Sequence, residues 1–214
     1  MRTKEYRMDV FKKAGLYFVT SSSLSRKDSF TTVRDYLEAG GRLFQLREKE
    51  WSKEKLIEEG RKFKELSLKH DAIFIVNDDP FLALELSADG VHLGQNDTSI
   101  KEARQILGED AIIGLSTHNV KEVLSAQEEG ADYINIGPVF MTDTKKGIKN
   151  ISTIELIDIL KVVKIPYTFM GGIKKHRIPE LLEYKPTALA MITEISMAED
   201  VRTVTSDIIK VIGK

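Results

Sequence analysis

The chain of 214 residues contains no cysteine, and this absence excludes several classes of chemistry. Disulfide bonds, thiolate nucleophiles, iron–sulfur clusters and zinc sites built on sulfur all need cysteine, so none of them is expected. No apolar run approaches the roughly 18 residues of a membrane helix, and Met1–Lys13 lacks the apolar centre of a signal peptide. We therefore expect a cytoplasmic protein that does not act in a membrane.

An excess of charge of one sign is also missing. Lys and Arg total 32, Asp and Glu total 33, and the formal net charge is -1, so no overall field attracts nucleic acid or an anionic membrane. The expected partners are small molecules, and homo-oligomer formation is left open. Proline is scarce, with five residues near predicted element ends and no proline-rich linker. Residues 1–214 are therefore expected to form one domain.

What the sequence does contain is an alternation of short apolar runs with longer amphipathic segments. There are eight such runs: Leu16–Thr20, Arg42–Leu46, Ile73–Asn77, Gly90–Leu93, Ile112–Leu115, Tyr133–Ile136, Tyr167–Met170 and Ala188–Met191. This α/β pattern predicts a parallel sheet, and eight units favour a single closed (β/α)8 TIM barrel. An open doubly wound sheet is the alternative, although no GxGxxG motif follows the first run. Residues 1–13 form a short N-terminal extension, which is either a helix that closes the barrel bottom or packs on a neighbour, or a frayed end.

Polar residues follow the second run, at the strand end where such barrels place their active sites. Gln45, Arg47 and Lys49 are spaced two residues apart, so a strand directs all three side chains to the same side. A guanidinium fork and an ammonium that converge on one pocket suit a multiply charged oxyanion, above all phosphate or pyrophosphate. The sequence therefore predicts an anion site at this strand end.

The third and fourth runs end in carboxylates. Asp79 precedes Pro80 in the way that a helix N-cap precedes the first helical residue, so we assign Asp79 a structural role. Asp78 is not explained by capping, and Asp97 is either a cap or turn residue or a metal ligand. Together, Asp78 and Asp97 offer hard oxygen ligands beside a phosphate-binding cluster, an arrangement typical of Mg²⁺.

Hydroxyl, imidazole and ammonium groups follow the fifth and sixth runs. Ser116 ends the fifth run, and His118 is either an acid or base or a residue that only hydrogen-bonds its neighbours. Thr142, Thr144 and Lys145 form a second oxyanion-binding group in a polar loop long enough to act as a lid. The other histidines are given no catalytic role: His70, His92 and His176.

The seventh and eighth runs end in groups suited to phosphate. Gly171 and Gly172 offer backbone N–H groups in a turn, and Ile192 and Thr193 precede an apparent helix start. TIM barrels often bind phosphate after strands seven and eight. These motifs are common, and it is their position after the seventh and eighth runs that supports a phosphate site.

With these residues identified, the chain resembles the thiamine-phosphate synthase family, also called thiamine-phosphate pyrophosphorylases, which is related to the thiazole tautomerases. The resemblance runs from about Leu16 to Asp200. Its motifs are QLREK at 45–49, ND at 77–78, GVHLGQND at 90–97, GLSTH at 114–118, GADYINIGPVFxTxTK at 130–145, GGI at 171–173 and IT at 192–193.

The resemblance implies that 4-amino-5-hydroxymethyl-2-methylpyrimidine diphosphate and hydroxyethylthiazole phosphate are joined with loss of pyrophosphate. It implies that Asp78 and Asp97 hold Mg²⁺. The residues implied for the pyrimidine diphosphate are Gln45, Arg47, Lys49, Asn77, Ser116 and Lys145, of which Arg47, Lys49, Ser116 and Lys145 are expected to be catalytic. The residues implied for the thiazole phosphate are Thr142, Thr144, Gly172, Ile192 and Thr193.

This sequence departs from the family pattern in its last third. Bulky Phe169 and Met170 precede the Gly-Gly pair, where they are expected to narrow the floor of the site, and Thr193 stands where serine is commoner. Two alternatives share the fold: a thiazole tautomerase, and a non-catalytic barrel that binds thiazole or thiamine phosphates. Retention of Gln45, Asp78 and Asp97 favours the synthase.

Overall fold

A computed structural model describes residues 2–141 and 150–213 of the chain. In these two ranges the strands are β1 (Gly15–Val19), β2 (Leu43–Leu46), β3 (Ile73–Asn77), β4 (Gly90–Leu93), β5 (Ile112–Thr117), β6 (Tyr133–Ile136), β7 (Tyr167–Met170) and β8 (Ala188–Met191). The helices are α1 (Lys4–Ala14), α2 (Ser29–Glu38), α3 (Lys53–Lys69), α4 (Pro80–Glu85), α5 (Ile100–Leu107), α6 (Val120–Glu128), α7 (Thr153–Val162), α8 (Ile178–Leu182), α9 (Thr193–Ser196) and α10 (Val201–Ile212). Among them, none has the length and apolar character needed to cross a bilayer.

The strands form a closed parallel barrel in sequence order, which β1 completes by pairing with β8. The prediction of a single TIM barrel is therefore confirmed, and the open-sheet alternative is wrong. Right-handed crossovers place each strand beside the last, and with eight strands in sequence order β8 reaches β1 and closes the sheet. The carboxyl ends of all strands consequently meet at one rim.

Side chains alternate between two apolar layers. Phe18, Phe44 and Phe74 point outward and belong to the large cluster between the sheet and the helices. Their neighbours Tyr17 and Leu43 point inward, into a smaller cluster inside the barrel. The period-two geometry of strands produces this separation, because consecutive residues face opposite sides.

The N-terminal extension forms α1, which closes the bottom of the barrel. Phe11 is fully buried in the inner cluster, and its ring centroid lies 4.5 Å from that of Tyr133. Arg7 is held between the backbone oxygen of Asp110 at 2.6 Å and the buried carboxylate of Asp89 at 3.3 Å. In the described part of the chain the extension is thus helical and packs against the barrel.

Gly90 is required where β4 passes β5. A Cβ atom at this position would lie 1.9 Å from the backbone oxygen of Ile112, which cannot move without breaking the barrel. We expect Gly90→Ala to lower the free energy of unfolding by roughly 3 kcal/mol or more, as measured by denaturant unfolding. Gly108→Ala is the control, because its φ of 80° is strained for alanine but its surroundings are open, and it should cost only about 1 kcal/mol. Equal losses in the two variants would contradict this prediction.

Candidate active site

A cavity of about 400 Å³ opens at the carboxyl ends of the strands. Ten of the thirteen residues predicted from the sequence line it: Gln45, Arg47, Lys49, Asn77, Asp78, Asp97, Ser116, Gly172, Ile192 and Thr193. The other three, Thr142, Thr144 and Lys145, lie outside the described residues, as does the predicted lid at 142–149. The barrel thus brings residues from six strand ends into one cavity, and their individual binding roles remain predictions.

The cationic side of the cavity is built by the end of β2. Burial lowers the pKa of the Arg47 guanidinium, while the nearby charges of Asp78 and Glu48 raise it. Glu48 faces the other way and accepts hydrogen bonds from the backbone N–H of Ser22 at 2.7 Å and the hydroxyl of Ser29 at 2.6 Å. This alternation keeps an acidic side chain out of the cavity wall that carries Arg47.

Two carboxylates form the acidic side of the cavity. Asp78 lies close to Asp97, and the pKa of Asp78 is raised to about 6, first by burial and then by the neighbouring carboxyl group of Asp97. The charge of Lys49 and a hydrogen bond from Asn77 oppose this rise. Two neighbouring carboxylates repel each other when both are ionised. Their oxygens are also ligands suited to a hard divalent cation.

The roles of the neighbouring acidic residues are now clear. Asp79 accepts hydrogen bonds from the backbone N–H groups of Phe81 and Leu82, so its predicted capping role is confirmed. Asp97 does not cap α5, because Ser99 does so. It accepts a 2.7 Å hydrogen bond from the backbone N–H of Gly94, which fixes its carboxylate at the rim.

The donor set fits Mg²⁺ and does not fit a metal held by protein alone. Among the described residues there is no group of three or more histidines and carboxylates that could hold an ion. Mg²⁺ is commonly bound by one or two carboxylates together with substrate phosphates and water. Asp78 and Asp97 offer that smaller ligand set beside the cations Arg47 and Lys49.

Ser116 and His118 extend from the end of β5 and line the cavity. The ring Nδ1 of His118 lies 2.8 Å from a carboxylate oxygen of Glu122, which also accepts the backbone N–H of His118. Of the two interpretations of His118, the structure shows the local hydrogen bond. Ser116 Oγ instead lies 3.0 Å from Nε2 of His92.

Several polar residues at or near the cavity were given no role from the sequence, among them His92, Asn135 and Lys174. His92 and Asn135 line the cavity and are almost completely buried, with 4% and 2% exposure. Lys174 follows the Gly-Gly turn, and its Nζ lies 3.1 Å from Oγ1 of Thr193 and 3.3 Å from a carboxylate oxygen of Glu194. The signal for His92 and Asn135 is present in the sequence, since each is an inward position of a strand with period-two alternation.

The glycines after β7 have positive φ angles, 99° at Gly171 and 61° at Gly172. A Cβ atom at Gly172 would lie 2.3 Å from the backbone oxygen of Met141, so the turn packs closely against the β6 loop. The sequence requires glycine here both for conformation and for space. The turn thereby brings backbone groups to the cavity wall beside Thr193.

The expected effect of Phe169 on the cavity floor is wrong. Phe169 is fully buried outside the barrel, where its ring packs against those of Tyr167 and Tyr184. Met170 does line the cavity, and its sulfur accepts a 3.1 Å hydrogen bond from Nδ2 of Asn135. Strand alternation explains the difference, because adjacent residues cannot both face inward.

The closed barrel and a polar cavity at its carboxyl rim define an enzyme of the TIM-barrel class. A family model described as thiamine monophosphate synthase matches residues 16–195. The chain is 38% identical to the thiamine-phosphate synthase of Dictyoglomus thermophilum, over 98% of this chain and 95% of that protein. It is also 38% identical to that of Shouchella clausii, over 87% of this chain and 90% of that protein. Its structure matches a thiamine phosphate pyrophosphorylase from Pyrococcus furiosus with a TM-score of 0.87 and 35% identity, covering 95% and 98% of the two chains.

The chain belongs to the thiamine-phosphate synthase family, whose members are transferases acting on small molecules. The resemblance noted in the sequence is confirmed.

Proposed function

We propose that the protein condenses 4-amino-5-hydroxymethyl-2-methylpyrimidine diphosphate with hydroxyethylthiazole phosphate to give thiamine phosphate and pyrophosphate. The observation that carries this proposal is the joint presence, in one cavity, of the cations Arg47 and Lys49 and the carboxylates Asp78 and Asp97. A diphosphate needs cations, and a magnesium ion that neutralises it needs carboxylates. The reaction is proposed to take place in the cytoplasm.

At the diphosphate end, Arg47 and Lys49 bind phosphate oxygens, Lys145 is assigned to the same group, and Asp78 and Asp97 would hold Mg²⁺. When bound, Mg²⁺ neutralises charge on the leaving pyrophosphate. Gln45, Asn77 and Ser116 hold the pyrimidine and its first phosphate. The burial that lowers the pKa of Arg47 also strengthens its attraction for a phosphate oxygen, because little water competes for the guanidinium.

The chemical step needs leaving-group stabilisation more than a protein nucleophile. The bond between the methylene carbon and the bridging oxygen breaks, and its electron pair leaves with pyrophosphate. The thiazole nitrogen donates its lone pair to the exposed carbon and forms the new C–N bond. No proton moves in this exchange, so no general base is required, and the cavity contributes charge stabilisation and alignment of the two rings.

At the other end, the Gly172 turn, Ile192 and Thr193 bind the thiazole phosphate, together with Thr142 and Thr144 of the loop. The ammonium of Lys174 lies beside Thr193 and adds a cation to a set of neutral donors. Holding this phosphate fixes the distance from the thiazole nitrogen to the methylene carbon. The roles of Mg²⁺, of the individual residues and of the loop all belong to this proposal.

Lys174→Ala is expected to raise the KM for thiazole phosphate roughly tenfold, the effect of losing one charge-assisted hydrogen bond, with little change in the KM for the pyrimidine diphosphate. The two KM values are determined separately from initial rates in which one substrate is varied while the other is kept saturating. Lys175→Ala is the matched control, because the Lys175 ammonium pairs with Asp207 at 2.7 Å instead of Thr193. An equal rise in both KM values, or the same rise in the control, would contradict this assignment.

The proposed function is tested by mixing the purified protein with both substrates and measuring pyrophosphate and thiamine phosphate, first with Mg²⁺ and then with a chelator. Equal amounts of the two products, both abolished by chelation, are expected. Saturable binding of thiazole phosphate without any product would instead support the tautomerase or the non-catalytic binder, which an assay for isomerisation of the thiazole would distinguish.

A further inference from the structure

A continuous row of hydrogen-bonded side chains crosses the interior of the barrel. Nε2 of Gln45 donates to the hydroxyl of Tyr17 at 2.7 Å, and that hydroxyl lies 3.1 Å from the hydroxyl of Tyr133. Nδ1 of His92 lies 2.9 Å from the Tyr133 hydroxyl, and Nε2 of the same ring lies 3.0 Å from Oγ of Ser116. The row therefore begins and ends at residues that line the cavity, and His92, next to its end, lines the cavity as well.

When His92 is neutral, the first hydrogen bond of this row fixes the direction of the others. The Tyr17 hydroxyl is fully buried and accepts from Gln45, so its own hydrogen has one acceptor among these partners, the Tyr133 oxygen. Tyr133, having accepted, donates to Nδ1 of His92. A neutral His92 then carries its hydrogen on Nε2 and donates to Ser116. Any local reversal leaves a buried hydroxyl hydrogen without an acceptor, which costs about 1–3 kcal/mol in general.

The consequence reaches the cavity at both ends of the row. Because the amide nitrogen of Gln45 donates to Tyr17, we assign its amide oxygen the role of acceptor toward a ligand in the cavity that Gln45 lines. Because Ser116 accepts from His92, its own hydrogen is free to be donated to a ligand. The cavity thus presents an acceptor at Gln45 and a donor at Ser116, and the two properties are linked through three buried residues.

We propose that Tyr17, Tyr133 and His92 form a positioning relay that sets the hydrogen-bond polarity of Gln45 and Ser116, and thereby selects an aminopyrimidine over an oxopyrimidine. The inference rests on the proposed function and extends it to the choice of substrate. An exocyclic amino group donates and the adjacent ring nitrogen accepts. A 4-oxo pyrimidine carries the reverse pattern, an acceptor oxygen beside a ring N–H.

Packing holds the relay in place. The rings of His92 and Tyr133 stack with centroids 5.4 Å apart, and the Phe11 ring of α1 presses on Tyr133 from below. Burial raises the pKa of both Tyr17 and Tyr133, so both hydroxyls keep their hydrogens at any physiological pH. The relay can therefore reverse only as a unit, through a concerted change of all five groups. Binding of a ligand with the reverse hydrogen-bond pattern therefore requires the free energy of reversing all five groups, which is larger than that of rotating one side chain.

Tyr133→Phe tests the relay, because it removes one oxygen from the middle of the row and keeps the ring that packs against Phe11. Two constants are measured: kcat/KM for the 4-amino pyrimidine diphosphate, and the inhibition constant Ki of its 4-oxo analogue. The amino-to-oxo ratio is kcat/KM divided by 1/Ki. With the row cut, Gln45 and Ser116 each choose their polarity freely, and we expect the ratio to fall roughly tenfold. Tyr17→Phe cuts the row one step closer to Gln45, should produce the same fall, and carries the test if Tyr133→Phe does not fold.

Tyr36→Phe is the matched control. Tyr36 is also fully buried, but its hydroxyl lies outside the barrel near the backbone oxygens of Leu16 and Leu43. This variant should lose stability without any change in the amino-to-oxo ratio. An unchanged ratio in active Tyr133→Phe and Tyr17→Phe would overturn the relay and leave the proposed function standing. A wild-type protein that makes no thiamine phosphate would overturn the proposed function and the relay with it.

Discussion

Replacing Arg47 with alanine should lower kcat for thiamine phosphate formation by about two to three orders of magnitude, the usual effect of removing one preorganised donor from a developing oxyanion. The half-buried guanidinium lies at the cavity beside Asp78 and Lys49. Its removal should therefore mainly reduce the stabilisation of the negative charge that develops on the departing pyrophosphate. Arg47→Lys should recover only part of the rate, because lysine keeps the charge and loses the planar fork. Single-turnover kinetics with saturating substrates would measure the chemical step directly.

The same substitution should leave the fold intact, since Arg47 lies at the barrel rim. We expect the melting temperature of Arg47→Ala to stay within about 3 °C of that of the wild type, which corresponds to a small change in stability. Arg61→Ala is the control. Arg61 is an exposed residue of α3 that pairs with Glu85 at 2.9 Å, so its loss should change neither the melting temperature nor the turnover. Turnover in Arg47→Ala within threefold of the wild-type value would remove Arg47 from the catalytic group.

Replacing Asp78 with asparagine should produce the second large effect. The change removes a negative charge from the predicted magnesium site and keeps the shape of the side chain. We expect kcat to fall by about two orders of magnitude or more and the Mg²⁺ concentration for half-maximal activity to rise at least roughly tenfold, because even residues that only orient metal ligands contribute that much. Asparagine is chosen over alanine because Asp78 has a φ of 64°, a region that asparagine tolerates and alanine does not.

Stability separates a functional role of Asp78 from a structural one. Burial and the neighbouring Asp97 raise the pKa of Asp78, so the ionised pair is a source of repulsion in the folded protein. Asp78→Asn should therefore not lower the melting temperature of the metal-free protein. Asp79→Asn, one residue further along, should keep both activity and the helix cap, since asparagine also accepts the hydrogen bonds from Phe81 and Leu82. Wild-type activity and an unchanged Mg²⁺ requirement in Asp78→Asn would remove the metal assignment.

Much of the fold was readable from local patterns. The alternation of apolar runs with amphipathic segments predicted the barrel because each pattern has its own period, and the number of units is compatible with closure. Asp79 and Pro80 marked the start of α4 through capping chemistry that depends on neighbouring residues alone. The polar residues at strand ends were equally visible, because parallel strands all deliver their carboxyl ends to one rim.

The errors came from side-chain direction. Phe169 was expected at the floor of the cavity, yet it belongs to the layer between sheet and helices, while its neighbour Met170 faces inward. His92 was given no catalytic role, although it lines the cavity and connects Tyr133 with Ser116. In both cases the alternation along the strand separates the two faces, and the closed barrel shows which of the two faces is the inner one.

The sequence by itself determined the class of fold, the family and the residue types that meet at the rim, because these depend on period, order and local chemistry along the chain. Only the tertiary structure decided that Gln45 and Ser116 are joined through Tyr17, Tyr133 and His92, that Lys174 reaches Thr193, and that Phe11 closes the barrel from below. These contacts join residues from different strands and helices. Barrel closure sets such distances, and no spacing along a single segment contains them.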